Sequence, residues 1–107
     1  MDLKIESRNV VMTPRWKAEI EQRMADLQNG HDDLTHGRAT LTKNRHHKKS
    51  AKVAEAKLVV TLPGRHTLTA SKEDKTFEEA IRAAFTAMET ELRKFREKRA
   101  SHDLQKW

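Results

Sequence analysis

The sequence predicts an α+β domain of order β-α-β-β-β-α, a four-stranded mixed sheet with two helices packed on one face. Three observations carry this expectation. Residues 76–99 repeat apolar side chains at three- and four-residue steps, the period of an amphipathic helix. Residues 54–62 and 66–71 alternate apolar and polar around Pro63-Gly64, the period of two half-buried strands joined by a turn. A second helical stripe lies over residues 14–29 and follows a short alternating segment, so one helix falls between two strands.

The elements follow in chain order. Leu3 and Ile5 alternate with Lys4 and Glu6, a strand pattern that reaches to about Val10. Thr13-Pro14 reads as an N-cap followed by proline at the first helical position, where its missing N–H costs nothing. Trp16, Ile20, Met24 and Leu27 then form a stripe, and Asn29-Gly30 supplies a C-cap signal. Arg38–Thr42 is a weak strand with small apolar positions facing inward. The segment Lys48–Ala56 also reads as a helix start, with lysine spacing like that of a double-stranded-RNA-binding domain. It runs straight into Leu58-Val59-Val60-Thr61-Leu62, whose β-branched content favours a long strand.

On that strand Ala54, Ala56, Leu58, Val60 and Leu62 share one face, with Glu55, Lys57 and Thr61 opposite. Leu68 and Ala70 alternate with Thr67, Thr69 and Ser71 on the last strand. The final helix aligns Phe77, Ala80, Ile81, Ala84, Phe85, Met88, Leu92 and Phe95, with Thr76 and Glu79 spaced as a capping box. A strand-helix-strand crossover is right-handed where its strands are parallel. Two hairpins extend the sheet, and its other face, bearing Thr, Lys and Glu, is expected to stay solvated.

Composition narrows the function. The chain of 107 residues is 36% charged, with only three Gly and two Pro, and its mean hydropathy is −0.92. Its clear stripes argue for one folded domain over residues 1–99 with charged faces, followed by a short flexible tail, 100–107, that ends in Trp107. Without cysteine, disulfides and thiolate metal sites are excluded. No apolar run approaches the roughly 20 residues a membrane span needs, and Met1-Asp2-Leu3-Lys4 has no signal-peptide shape. A cytoplasmic protein is expected, and a monomer, since the apolar stripes are used internally.

Net charge is +6 and unevenly spread. Residues 1–42 carry a net of −1 and residues 43–107 a net of +7. A basic half on a small domain points first to nucleic acid. The candidate RNA-binding residues fall in three groups. Lys43, Arg45, Lys48, Lys49 and Lys52 lie in ten residues without an acid. Arg93, Lys94, Arg96, Lys98 and Arg99 crowd the end of the last helix with more positive charge than its dipole requires. Arg65, Lys72 and Lys75 flank the last strand and are expected to join them.

Other chemistries find little support. The six His, at 31, 36, 46, 47, 66 and 102, lack the converging spacing of a zinc site, so no metal is expected. No Gly-rich phosphate loop, nucleophile elbow or carboxylate constellation stands out; no catalytic residue, small-molecule substrate or cofactor is expected.

At this point the chain resembles the ribosome hibernation factor family, also called ribosome-associated inhibitors or ribosomal subunit interface proteins. The resemblance rests on Met1-x-Leu3-x-Ile5-x-x-x-Asn9-Val10-x-Met12-Thr13, on the element order with its Pro63-Gly64 turn, and on Ala70-Ser71 followed by Thr76-Phe77-Glu78-Glu79-Ala80-Ile81 and Leu92-Arg93-Lys94. It covers about residues 1–99. The chain differs at Thr76, where the family usually has Asp, at Glu78, where an aromatic is common, and at Arg82, where an acid is common. It also ends near residue 107, which fits a short form without the extra C-terminal domain of long members.

The resemblance implies a binding protein without chemistry of its own. Its partner would be the small ribosomal subunit, through 16S-type rRNA at the decoding region, and the 70S ribosome, where it excludes mRNA and tRNA. Two other functions compete: a generic double-stranded-RNA module, and a regulatory module that binds an acidic protein partner.

Overall fold

The computed structural model describes residues 1–44 and 52–104, with side chains as far as residue 98. Its elements are β1 (Asp2–Arg8), α1 (Pro14–Gly30), β2 (His36–Lys43), β3 (Ala54–Leu62), β4 (His66–Asp74) and α2 (Phe77–Leu104). The expected order is therefore present. The four strands form one sheet in the order β1-β2-β3-β4. β1 pairs parallel with β2, from Asp2 opposite His36 to Arg8 opposite Thr42. The two hairpins are antiparallel and their registers run without a break.

Register assigns every strand residue to a face. Leu3, Gly37, Val60 and Leu68 stand in one row, and Ile5, Ala39, Leu58 and Ala70 in the next. These rows face the helices. On β3 the alternation is complete: Ala54, Ala56, Leu58, Val60 and Leu62 are all buried. α1 adds Ile20, Met24 and Leu27, and α2 adds the whole predicted stripe, with Phe95 partly buried at its far end. Long apolar side chains at three- and four-residue steps can meet a flat sheet only along one line, so α2 runs the length of β3 and β4.

Both helix starts behave as capping chemistry requires. Thr13 is extended (φ −90°, ψ 151°), and its Oγ1 accepts the Trp16 N–H at 3.1 Å. Thr76 Oγ1 accepts the Glu79 N–H at 3.2 Å, while the neighbouring Asp74 carboxyl pushes the Glu79 carboxyl above its ordinary range. The two first turns are joined side to side. The rings of Trp16 and Phe77 lie 4.7 Å apart, and the Trp16 indole N–H donates to Glu78 Oε1 at 3.0 Å. A partly buried indole needs an acceptor, which gives Glu78 a structural role.

The helix ends differ from expectation. Gly30 is the last helical residue and does not take the left-handed conformation of a glycine cap. α1 stops instead at His31 (φ −143°), whose N–H returns to the Gln28 carbonyl. The chain must turn there because Leu34, three residues on, is buried at 3% exposure. α2 continues to Leu104, past the Arg99 end that the stripe suggested. Between β3 and β4, Gly64 and Arg65 both have positive φ, 83° and 62°, so the hairpin tip holds an arginine in a conformation that costs a non-glycine residue about 1 kcal/mol.

Met88 has 0% exposure at the centre of the α2 stripe. Met88→Ala is expected to lower unfolding free energy in a urea titration by about 2–4 kcal/mol. Glu89→Ala, one residue on and exposed, should change it by less than about 0.5 kcal/mol.

Candidate nucleic-acid interface

The fold sorts most of the candidate cations toward two ends of the sheet, while Lys72 and Lys94 line one groove between β4 and α2. Lys43 closes β2 and Lys52 stands just before β3; the Asn44 N–H to Val53 carbonyl bond, 2.8 Å, ties the base of the loop between them. Lys72 and Lys75 reach the same end, because register sets Ala54 opposite both Lys43 and Asp74. The first turns of α1 and α2 lie here too, held by Trp16 and Phe77. Helix N-termini carry partial positive charge and unpaired N–H groups, so they add to the attraction for phosphate. Arg45, Lys48 and Lys49 belong to this loop in sequence and lie outside the described residues.

At the opposite end stand Arg65, at the β3–β4 turn, and Arg93, Lys94, Arg96 and Lys98 on α2. A ring contact between His66 and Phe95, centroids 5.2 Å apart, fixes the hairpin against the helix. The side chain of Arg99 lies outside those described. The three residues that flank β4 thus do not form one group. At about 3.3 Å per residue the strand places Arg65 about 23 Å from Lys72, with Lys75 farther still.

Local acids modify both ends. Asp74 Oδ1 accepts the Lys75 N–H at 2.8 Å. That bond and the hydrogen bond to Glu79, with the charge of nearby Lys52, hold the Asp74 carboxyl below its ordinary range, while Glu79 is pushed up by the same pairing. At the helix end Arg96 is already engaged. Its Nη2 donates to Asp33 Oδ1 at 2.6 Å and its Nε to His31 Nδ1 at 2.9 Å. The guanidinium keeps Asp33 below the usual carboxylate range. Arg96, one of the residues expected to meet RNA, thus has donors partly used inside the protein.

Other cations were not singled out by the sequence. Register puts Lys4 opposite Arg38 on the solvated sheet face, with Arg8 and Lys57 in the rows beyond. Arg8 sits at the loop end, opposite Thr42, and enlarges the cationic group there. Finding it requires the parallel pairing of β1 and β2, which no local pattern reveals. The rest of this face is mixed in sign. Lys4 pairs with Glu6 at 3.2 Å, a bond that lowers the Glu6 pKa, and Ser71 Oγ donates to Glu55 at 3.0 Å. Among the described residues no three His, Asp or Glu side chains converge as metal ligands, and no helix is long and apolar enough to cross a membrane.

Comparison with known proteins agrees with this architecture. Residues 3–100 match the family described as "Sigma 54 modulation protein / S30EA ribosomal protein". A ribosomal subunit interface protein from Coxiella burnetii shares the fold with a TM-score of 0.79 at 20% identity, covering 91% of this chain and 99% of the other. The N-terminal domain of Protein Y from Thermus thermophilus superposes with a TM-score of 0.72 at 26% identity, covering 89% and 99%. No curated protein matches the sequence.

The Arg96–Asp33 pair gives a testable acid dependence. Asp33 has a lower pKa folded than its ordinary 3.8, so its stabilisation is present above that value and disappears as pH falls through the folded pKa. Asp33→Asn should therefore lower the thermal midpoint at pH 7, and the gap to the unaltered protein should narrow as pH falls below 3.8.

Proposed function

This chain belongs to the sigma 54 modulation protein / S30EA ribosomal protein family, the hibernation-promoting factors, and we propose that it binds the small ribosomal subunit at the decoding region and excludes mRNA and tRNA. The observation that carries this reading is the separation of its cations into two groups along one rigid body. Lys43, Lys52, Lys72 and Lys75 at one end and Arg65, Arg93, Lys94 and Lys98 at the other can engage phosphates of different rRNA segments. Contacts of that kind position a protein by shape and charge, without reading bases. A domain lodged between rRNA segments occupies space that mRNA and the anticodon ends of tRNA need. Inhibition then requires no bond-making chemistry. The cytoplasm is the compartment this role implies.

The family description, with its S30EA ribosomal protein, supports the ribosomal reading, and the Coxiella protein is itself named a ribosomal subunit interface protein. The loop that contains Arg45, Lys48 and Lys49 extends the group at Lys43 and Lys52, and Arg99 extends the one on α2.

Cosedimentation of the purified protein with 30S, 50S and 70S particles across a salt series tests the proposal. Saturable binding to 30S and 70S, displaced by mRNA with tRNA and falling steeply with salt, is the expected result. Reversing Lys48, Lys49 and Lys52 to Glu is expected to abolish association at moderate salt with a nearly unchanged melting temperature. At low salt the log–log slope should fall in magnitude by about 2–3, the share of three phosphate contacts. Binding to any RNA duplex without preference for 30S would indicate the generic RNA module, and an RNase-insensitive pull-down the acidic protein partner.

A further inference from the structure

The end of α2 is tied to the loop after α1 by a side-chain cluster that contains a titratable acceptor. Arg96 Nε–H donates to His31 Nδ1, so this nitrogen must carry a lone pair for the bond to exist. The same guanidinium pairs with Asp33 at 2.6 Å. All three groups are reachable from solvent: the Arg96 and Asp33 side chains are 41% and 36% exposed, and His31 is half-buried.

We propose that protonation of His31 exchanges the partner of Asp33 and thereby frees Arg96 to bind an RNA phosphate. A proton on Nδ1 removes the acceptor of the Arg96 Nε–H bond and sets two cations side by side. Asp33, already close enough to His31 to feel its charge, becomes the counter-ion of the imidazolium. Arg96 then loses both partners. The surroundings permit the exchange. Asp26 faces His31 from α1, and Glu89 and Glu97 from α2, against the cations Arg93 and Arg96. Asp33 itself stays ionised throughout, since Arg96 lowers its pKa from an ordinary value far below the histidine range.

The consequence is a helix end whose phosphate affinity rises on acidification, by one added positive charge and one released guanidinium. Histidine is the side chain type whose charge ordinarily changes within the pH range cells visit, which sets the pH span of the test. The RNA half of this inference rests on the ribosomal reading above, while the exchange concerns the protein alone.

Two measurements on the full chain separate these halves. In NMR spectra of the free protein, the Arg96 Nε–H signal should be protected above pH 7.5 and move to the position of solvated arginine in step with the His31 ring. His31→Gln keeps an acceptor that cannot be protonated, and should hold the signal fixed. A wild-type Arg96 signal that ignores the His31 titration overturns the exchange. In the second measurement, affinity for purified 30S subunits is compared at pH 7.5 and 5.5 at constant salt. It should rise more in the unaltered protein than in His31→Gln by about fivefold, the scale of one exposed charge pair. Arg96→Gln should abolish that excess. Equal rises in all three proteins overturn the link to RNA. Absence of 30S binding at both pH values overturns the ribosomal reading itself, and the NMR result then decides the exchange alone.

Discussion

Burial of the α2 stripe against β3 and β4 is the constraint on which the rest of this structure depends. Phe77, Ile81, Phe85, Met88 and Leu92 cover a sheet face whose own alternation leaves no polar atom inward on β3. At ~25 cal/mol per Å² of apolar area, such a seam outweighs any surface charge effect in the molecule. It dictates where α2 starts, which way it runs, and how far its end lies from its beginning. The chain therefore has one sheet end with the loop and both helix starts, and another with the hairpin tip and both helix ends.

Charge on that frame is concentrated toward its two ends. The loop end combines lysines with helix N-termini, two sources of positive potential that add. The far end sets arginines and lysines against helix C-termini, where part of their charge is spent on the dipole and on Asp33. Two cationic sites of different strength, held apart by a rigid core, suit a ligand whose phosphates are themselves fixed in space. The solvated sheet face between them pairs acid with base, as Lys4 and Glu6 do.

Much of this was legible in the sequence because it is periodic. The strict alternation of β3 and the stripe of α2 left each a single reading, and Thr13-Pro14 marked a helix start that the structure realises atom by atom. Asn29-Gly30 misled, since the end of α1 is set by the buried Leu34 downstream and not by a glycine cap. Arg65, Lys72 and Lys75 were expected to join one patch from either side of the last strand, yet an extended strand separates its ends more than a helix of that length would. Arg8 and Arg38 gained significance only through register. The engagement of Arg96 joins residues 63 and 65 apart, beyond the reach of any local pattern. The partner of Glu78 is equally non-local, since Trp16 lies on the other helix.

The position of α2 as the last element also fixes the order in which the core can be completed during synthesis. β2, β3 and β4 pair with sequence neighbours and can zip up as hairpins while the chain is still emerging. The inward faces of β3 and β4 nevertheless stay wet until residues 77–95 arrive. Until then the nascent chain displays an apolar sheet with nothing to cover it, the state in which strands most readily find the wrong partner. A ribosome-associated domain of this kind thus depends on its own ribosome reaching α2 before its core can close.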